Sequence, residues 1–338
     1  MWKKLSASLV ASFPVFCNYI PQSRENNLKV FAGSSSRELA NEISGYLGVQ
    51  LGRMFNSSYP DGETRVRLFD EVSGKQVFVV QSLSEPVHNN LVELLYMVSA
   101  FKNSGAQRVV VVVPYLCYSR QDIPQPGKPG PLVADIARML EAMGADAIIG
   151  VDLHGDQIKG YLSVPFFEIK PFDLAVEYLS QKNLKDPVII SPDVRGSLRA
   201  AEFQSSMLEK GIECDIALLP KPGGSLTYLK KTLHAEYLGK RLTGRDLIIV
   251  DDMVITGTNL LNCIEELRQR DSERIYMYAT HGLLAKGAVE KINQTSLTEL
   301  ILTNSIQSNA NSSKVTYISL AKVIAQQIQQ VYSSNFNE

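Results

Sequence analysis

Ten short runs of strongly apolar, mostly β-branched residues recur along the chain, at 28–31, 76–81, 108–113, 147–151, 188–190, 215–219, 247–250, 275–278, 300–302 and 315–318. Most are apolar at successive positions rather than alternate ones, the pattern of strands buried on both faces. Amphipathic stretches lie between them, at 36–47, 89–102, 132–143, 196–209 and 259–270. Strand and helix periods in alternation predict an α/β fold of parallel sheets flanked by helices. A chain of 338 residues has room for two such domains. The seam is expected near Lys170-Pro171. That gives an N-terminal extension at 1–27, a first domain at 28–170, a second at 171–331 and a tail at 332–338.

Composition narrows the class. Hydrophobic residues make up 45% and charged residues 20%, which excludes a disordered, collagen-like or polytopic membrane chain. Lys plus Arg is 34 against 35 Asp plus Glu, a net charge of −1. Nothing in that balance draws the whole molecule to nucleic acid or anionic lipid, so anion binding must come from local sites. Cys17, Cys117, Cys214 and Cys263 form neither a C-x-x-C pair nor a zinc-like cluster, which predicts small packed thiols and a reducing, cytoplasmic setting. The first residues carry Lys3 and Lys4, then a weakly apolar run broken by Ser6, Ser8, Ser12 and Pro14. No A-x-A site closes that run, and it falls short of the ~20 apolar residues of a membrane helix. A disordered extension or a misplaced start is expected there rather than a targeting segment.

Ligands of open parallel sheets bind beyond the carboxyl ends of the strands. The strongest signal of that kind is Val250-Asp251-Asp252-Met253-Val254-Ile255-Thr256-Gly257-Thr258. Adjacent carboxylates can accept hydrogen bonds from a sugar diol. The Thr and Gly of the turn can offer hydroxyls and backbone N–H groups to a phosphate at a helix start. The plainer reading is an acidic strand end feeding a capped helix. A P-loop is excluded, because each Gly-Lys pair (Gly74-Lys75, Gly127-Lys128, Gly239-Lys240) lacks the following Ser or Thr.

Three further strand ends carry polar groups. Val151-Asp152-Leu153-His154 places an imidazole able to meet a metal or a phosphate beside two carboxylates, Asp152 and Asp156. Ser191-Pro192-Asp193 offers an oxygen donor of the kind Mg²⁺ takes. Tyr118-Ser119-Arg120-Gln121-Asp122 offers a guanidinium that can fork onto a phosphate. Each alone is weak. Together they point to an enzyme of nucleotides and sugar phosphates.

These motifs, in this order, resemble the ribose-phosphate pyrophosphokinase family from about residue 28 to residue 331. Phe31-Ala32-Gly33-Ser34, Pro60-Asp61-Gly62-Glu63 and Tyr278-Ala279-Thr280-His281 also fit. The Asp-Leu-His stretch followed by Gln157, Gly160 and Pro165 is the family's signature. The resemblance implies two domains of the type I phosphoribosyltransferase kind, and transfer of a diphosphoryl group from MgATP to the anomeric hydroxyl of ribose 5-phosphate. It implies ATP contacts from Arg120, Gln121 and His154, with Tyr59, Asp61 and Glu63 serving a neighbour's adenine site. It further implies Mg²⁺ on His154 and Asp193, the ribose diol on Asp251 and Asp252, and the 5-phosphate on Thr256 and Gly257. Lys221 would be the mobile-loop lysine that offsets charge on the transferring phosphates. A homo-oligomer built from dimers, up to a hexamer, is implied as well, with no nucleic acid or membrane partner.

Several positions depart from the family pattern. Ile255 stands where an acid or Ser is usual, and Thr258-Asn259 follow where Gly-Thr is usual. Gly223 replaces the Arg two positions after the loop lysine, Arg195 replaces a small residue beside Asp193, and the segment 123–130 keeps a single cation, Lys128. Losing one charge-assisted phosphate contact costs ~1.5–3 kcal/mol. A non-catalytic paralogue that binds nucleotide and regulates an active relative is therefore the alternative. A base-salvaging phosphoribosyltransferase would share the sugar-phosphate cradle, but it leaves the first half of the chain unexplained.

Overall fold

The computed structural model describes residues 27–121, 130–219, 242–308 and 310–334. Residues 1–26 of the expected N-terminal extension, the segment 122–129, the loop that carries Lys221 and Gly223, residue 309 and the last four residues lie outside the described residues.

The first sheet holds five parallel strands in the order β1 (Leu28–Ala32), β4 (Gln76–Val80), β5 (Arg108–Val113), β6 (Ala147–Val151) and β7 (Phe166–Ile169). Alternate residues of these strands enter two cores, which is why the runs are apolar at every position. Phe78, Val110 and Ile149 face α1 (Arg37–Leu47), while Val79, Val111 and Ile148 face α2 (Val87–Asn103) and α3 (Leu132–Ala142). A two-stranded antiparallel ribbon, β2 (Met54–Ser58) and β3 (Thr64–Leu68), rides on the α2 side through Met54, Val66 and Leu68.

The second sheet holds six parallel strands in the order β13 (Val315–Ile318), β12 (Glu299–Thr303), β11 (Ile275–Gly282), β10 (Leu247–Val254), β8 (Val188–Ser191) and β9 (Asp215–Leu218). Helices α4 (Phe172–Ser180) and α5 (Ser197–Glu209) cover one face; α6 (Thr258–Arg268) and α7 (Ala288–Gln294) cover the other. All ten apolar runs are strands, and the expected α/β class is the class found.

The sequence reading did not name β2, β3, β7, α4 or α7, and two further features differ from it. The run at 247–250 does not end before the acidic pair. β10 continues to Val254, because Asp251, Met253 and Val254 still pair with Ala279, His281 and Gly282 of an equally extended β11. The second difference is α8 (Ala321–Ser333), whose Ile324, Ala325, Ile328 and Val331 pack with α1 against the first sheet. The stretch 321–331, expected with the second domain, is thus buried in the core of the first.

Candidate active site

The carboxyl ends of the two sheets face each other. Where they meet, a cleft of about 450 Å³ is lined by His154, Asp193, Arg195, Arg199, Asp251 and Asp252. His154 lies just beyond β6 and Asp252 lies within β10, so the two come from different sheets. Nδ1 of His154 is 2.5 Å from Oδ2 of Asp252. A carboxylate can only accept, so Nδ1 carries the proton; a neutral ring then keeps its lone pair on Nε2. Asp193 turns at the end of β8 and accepts the Gly196 N–H at 3.0 Å.

Arg199, on α5, was not singled out from the sequence, where nothing marks a helix-borne cation as a neighbour of β6. Its side chain is 14% exposed. It donates to Oδ1 of Asp152 at 2.8 Å and to the Leu153 carbonyl at 3.2 Å. Burial works against its charge, but Asp152, Asp252 and Asp251 together hold it protonated. Burial pushes Asp152 upward, against the pull of Arg199 and His281.

The adjacent carboxyls of β10 are driven apart. Burial would raise Asp252, but the His154 hydrogen bond and the positive field of Arg199 outweigh it and hold this carboxyl well below its ordinary range. Asp251 is raised to about 7, by removal from water and by the neighbouring Asp252 charge. Like charges this close do not both ionise freely, and Asp251 keeps its proton because the neutral acid loses less than the carboxylate on leaving water.

A second cleft, about 1000 Å³, opens beside the first. Arg120 and Gln121 line it, with Tyr115, Tyr118, His88 and Ile255. His88 Nε2 lies 2.8 Å from the Tyr118 hydroxyl. Beyond Ile255 the chain turns at Gly257, whose φ of 70° is the left-handed conformation a glycine supplies. There α6 begins, with Thr256 Oγ1 at 3.3 Å from Thr258 Oγ1 and Lys291 Nζ donating to Thr258 Oγ1 at 3.1 Å. Hydroxyls, a helix start and a cation thus surround one point.

The structure therefore brings His154, Asp193, Asp251 and Asp252 into one cleft and Arg120 and Gln121 into the next, with Thr256 and Gly257 following Ile255 at the rim. Tyr59, Asp61 and Glu63 lie elsewhere, on the exposed turn of the ribbon, where Tyr59 donates its N–H to the Glu63 carbonyl at 2.7 Å. They line neither cleft within this chain. Lys221 lies outside the described residues. Among the described residues no group of three or more His, Cys, Asp and Glu side chains is arranged to hold a metal ion, and no helix is long and apolar enough to cross a membrane.

Residues 28–144 match the N-terminal domain of ribose phosphate pyrophosphokinase, and residues 234–336 match the phosphoribosyl synthetase-associated domain. A ribose-phosphate pyrophosphokinase of Burkholderia pseudomallei is 34% identical over 91% of this chain and 96% of its own length. The chain belongs to the ribose-phosphate pyrophosphokinase family. The Vibrio cholerae member is 33% identical over 90% of this chain and 96% of its own. In three dimensions, the phosphoribosylpyrophosphate synthetase of Mycobacterium smegmatis superposes with a TM-score of 0.82 at 27% identity, covering 91% of this chain and all of that one.

Set within that family, the departures have a structural context. Ile255 gives its side chain to the larger cleft while its carbonyl accepts the Ala285 N–H at 2.8 Å, so the loop keeps a backbone anchor. Thr258 holds the Lys291 ammonium. Arg195 adds a cation to the smaller cleft beside Asp193.

Proposed function

We propose that this chain is a working enzyme that breaks the α–β phosphoanhydride of ATP and forms a bond from O1 of ribose 5-phosphate to the β-phosphorus. AMP leaves, and the hydroxyl proton passes to solvent or a base. The observation that carries this reading is the His154–Asp252 contact, which joins a strand end of the first sheet to the acidic pair of the second in one cleft. Diphosphoryl transfer needs both substrates held in line and their charge neutralised.

In this reading Arg120, Gln121 and His154 hold the ATP phosphates and base, Asp251 and Asp252 the ribose diol, and Thr256 with Gly257 the 5-phosphate. Asp251, with its affinity for a proton near pH 7, can give a hydrogen bond to the sugar as well as accept one. Lys291 adds charge at the 5-phosphate, and Lys221 retains the loop role implied by the family. Mg²⁺ keeps several waters and takes only a few protein ligands besides phosphate oxygens. His154 and Asp193 both line the cleft, and among the described residues no closed cage of three or more such ligands surrounds them, which fits an ion of that habit that would neutralise phosphate charge. The exposed ribbon turn with Tyr59, Asp61 and Glu63 suits contact with a neighbouring copy in a dimer-based assembly. A reducing, cytoplasmic setting suits the free thiols of Cys117, Cys214 and Cys263.

The test is AMP release from MgATP with and without ribose 5-phosphate. Ribose-5-phosphate-dependent release is expected, and His154→Ala should weaken MgATP binding by tenfold or more. Nucleotide binding without any dependent release would instead identify a non-catalytic paralogue.

A further inference from the structure

Just beyond β6, Asp152 has a φ of 43°, a left-handed conformation that costs a residue with a Cβ, though Asp bears it better than most. Two residues later comes His154. The turn sends Leu153 into a small apolar cluster with Val133 and Ile158, and His154 to the carboxylate of the opposite sheet. Such a backbone persists only where its surroundings over-determine it.

The partners of this turn divide cleanly between the two halves of the molecule. Both N–H groups are taken by the first half: Asp152 donates to the Ile169 carbonyl at 2.9 Å and Leu153 to Oε1 of Glu168 at 3.0 Å. The acceptors are taken by the second half. His281 Nε2 lies 3.1 Å from the Asp152 carbonyl, and Arg199 donates to the Leu153 carbonyl and to Oδ1 of Asp152. The Thr280 hydroxyl donates to Oδ2 of Asp152. A carbonyl only accepts, so the His281 proton sits on Nε2, and in the neutral ring Nδ1 accepts from Ser305 Oγ, 2.9 Å away. Thr280 and His281 are neighbours near the end of β11, in the part that still pairs with β10 but runs beyond Ala279, the last residue paired with β12. All three clamping side chains come from the six-stranded sheet or its helix, and all grip a residue of the five-stranded sheet.

We propose that Arg199, Thr280 and His281 are positioning residues that hold Asp152 in its left-handed turn from across the molecule and thereby aim His154 at Asp252. The polar contacts shown for His281 are to the Asp152 carbonyl and Ser305, and its field reaches Asp252 only weakly, whereas that of Arg199 bears on both Asp251 and Asp252, so His281 isolates the effect better. The consequence for activity rests on His154 serving the nucleotide, as proposed above.

His281→Leu keeps the volume and removes the donor; His281→Gln puts an amide N–H near the lost Nε2–H. Two readouts separate the possibilities: the imidazole ¹⁵N resonances, of which the chain's four histidines give few enough to assign, and MgATP affinity. His281→Leu is expected to abolish the hydrogen-bonded Nδ1–H signature of His154 and to weaken MgATP about tenfold. Ribose 5-phosphate affinity should stay within about threefold, because β10 is not gripped. His281→Gln should return both readouts to within about threefold of wild type. If the resonance vanishes but nucleotide affinity does not change, the clamp stands and the nucleotide role of His154 falls. A folded His281→Leu with an unaltered His154 resonance overturns the clamp, whatever its activity. Should that variant not fold, Ser305→Ala, which strips the other ring nitrogen of its partner, decides on the same readouts: a shifted His154 signature supports the clamp and an unshifted one overturns it.

Discussion

Replacing Asp251 by Asn should stabilise the ligand-free protein at alkaline pH while harming its activity. The folded state raises this carboxyl from 3.8 to about 7, so it holds its proton where the unfolded chain has already released it. Below about pH 3 both states are protonated and the group is neutral to stability. As pH rises from there the unfolded state alone loses the proton, and stability falls until pH passes 7, above which both states are ionised. At about 1.4 kcal/mol per pH unit, the full cost is on the order of a few kcal/mol, more than half of it accruing between pH 5 and pH 8. Asn has the same shape and no charge to desolvate beside Asp252. Urea or thermal unfolding of both proteins at pH 5 and pH 8 gives the comparison. Terms common to the two cancel in the difference, and the wild type should lose more of its midpoint than the variant on going to pH 8. An Asp251→Asn protein that is less stable than wild type at pH 8, or that shows the same pH dependence, would refute the reasoning. The same variant should bind ribose 5-phosphate more weakly, so stability and function are opposed at this position.

Two other perturbations probe the proposed sugar-phosphate rim. Gly257→Ala forces a Cβ into a φ of 70° and should cost ~1–2 kcal/mol, read as a several-fold rise in KM for ribose 5-phosphate with little change for ATP. Lys291→Met removes the ammonium held by Thr258 and should raise that same KM about threefold to tenfold while leaving kcat nearly unchanged, the signature of a ground-state phosphate contact.

Local information carried far in this chain. Each doubly apolar run became a strand because a segment with no polar face must be buried on both sides, and parallel sheets between helix layers are the structures that do so. The polar groups placed just after those runs were therefore bound to collect at the carboxyl edges of the sheets. That much of the site, including Asp193, His154 and the Asp251-Asp252 pair, was legible one segment at a time. The mutual facing of the edges was not. Nothing within residues 147–154 specifies that His154 meets Asp252, 98 positions away.

The remaining differences share that cause. The apolar stripe of α8 states that the helix must bury one face, but Ile324 and Ile328 satisfy that need equally against any sheet; the position of β13 at the edge near α1 sends it to the first core. The length of β10 beyond Val250 depends on a partner strand, since Asp251 and Met253 have no strand preference strong enough to extend it unaided. Arg199 is one of 34 cations in the sequence, and only the approach of α5 to the end of β6 makes it the buried counter-charge of Asp152. The sequence by itself determined the ten apolar strands, five of the helices and which side chains stand at their ends, because burial and periodicity act within a few residues. Tertiary structure alone decided which ends face each other, and so which charges are paired, which carboxyl of the acidic pair is raised, and which residue is held in a strained turn. Those are effects of contact, burial and field between groups that the chain separates by up to 129 positions.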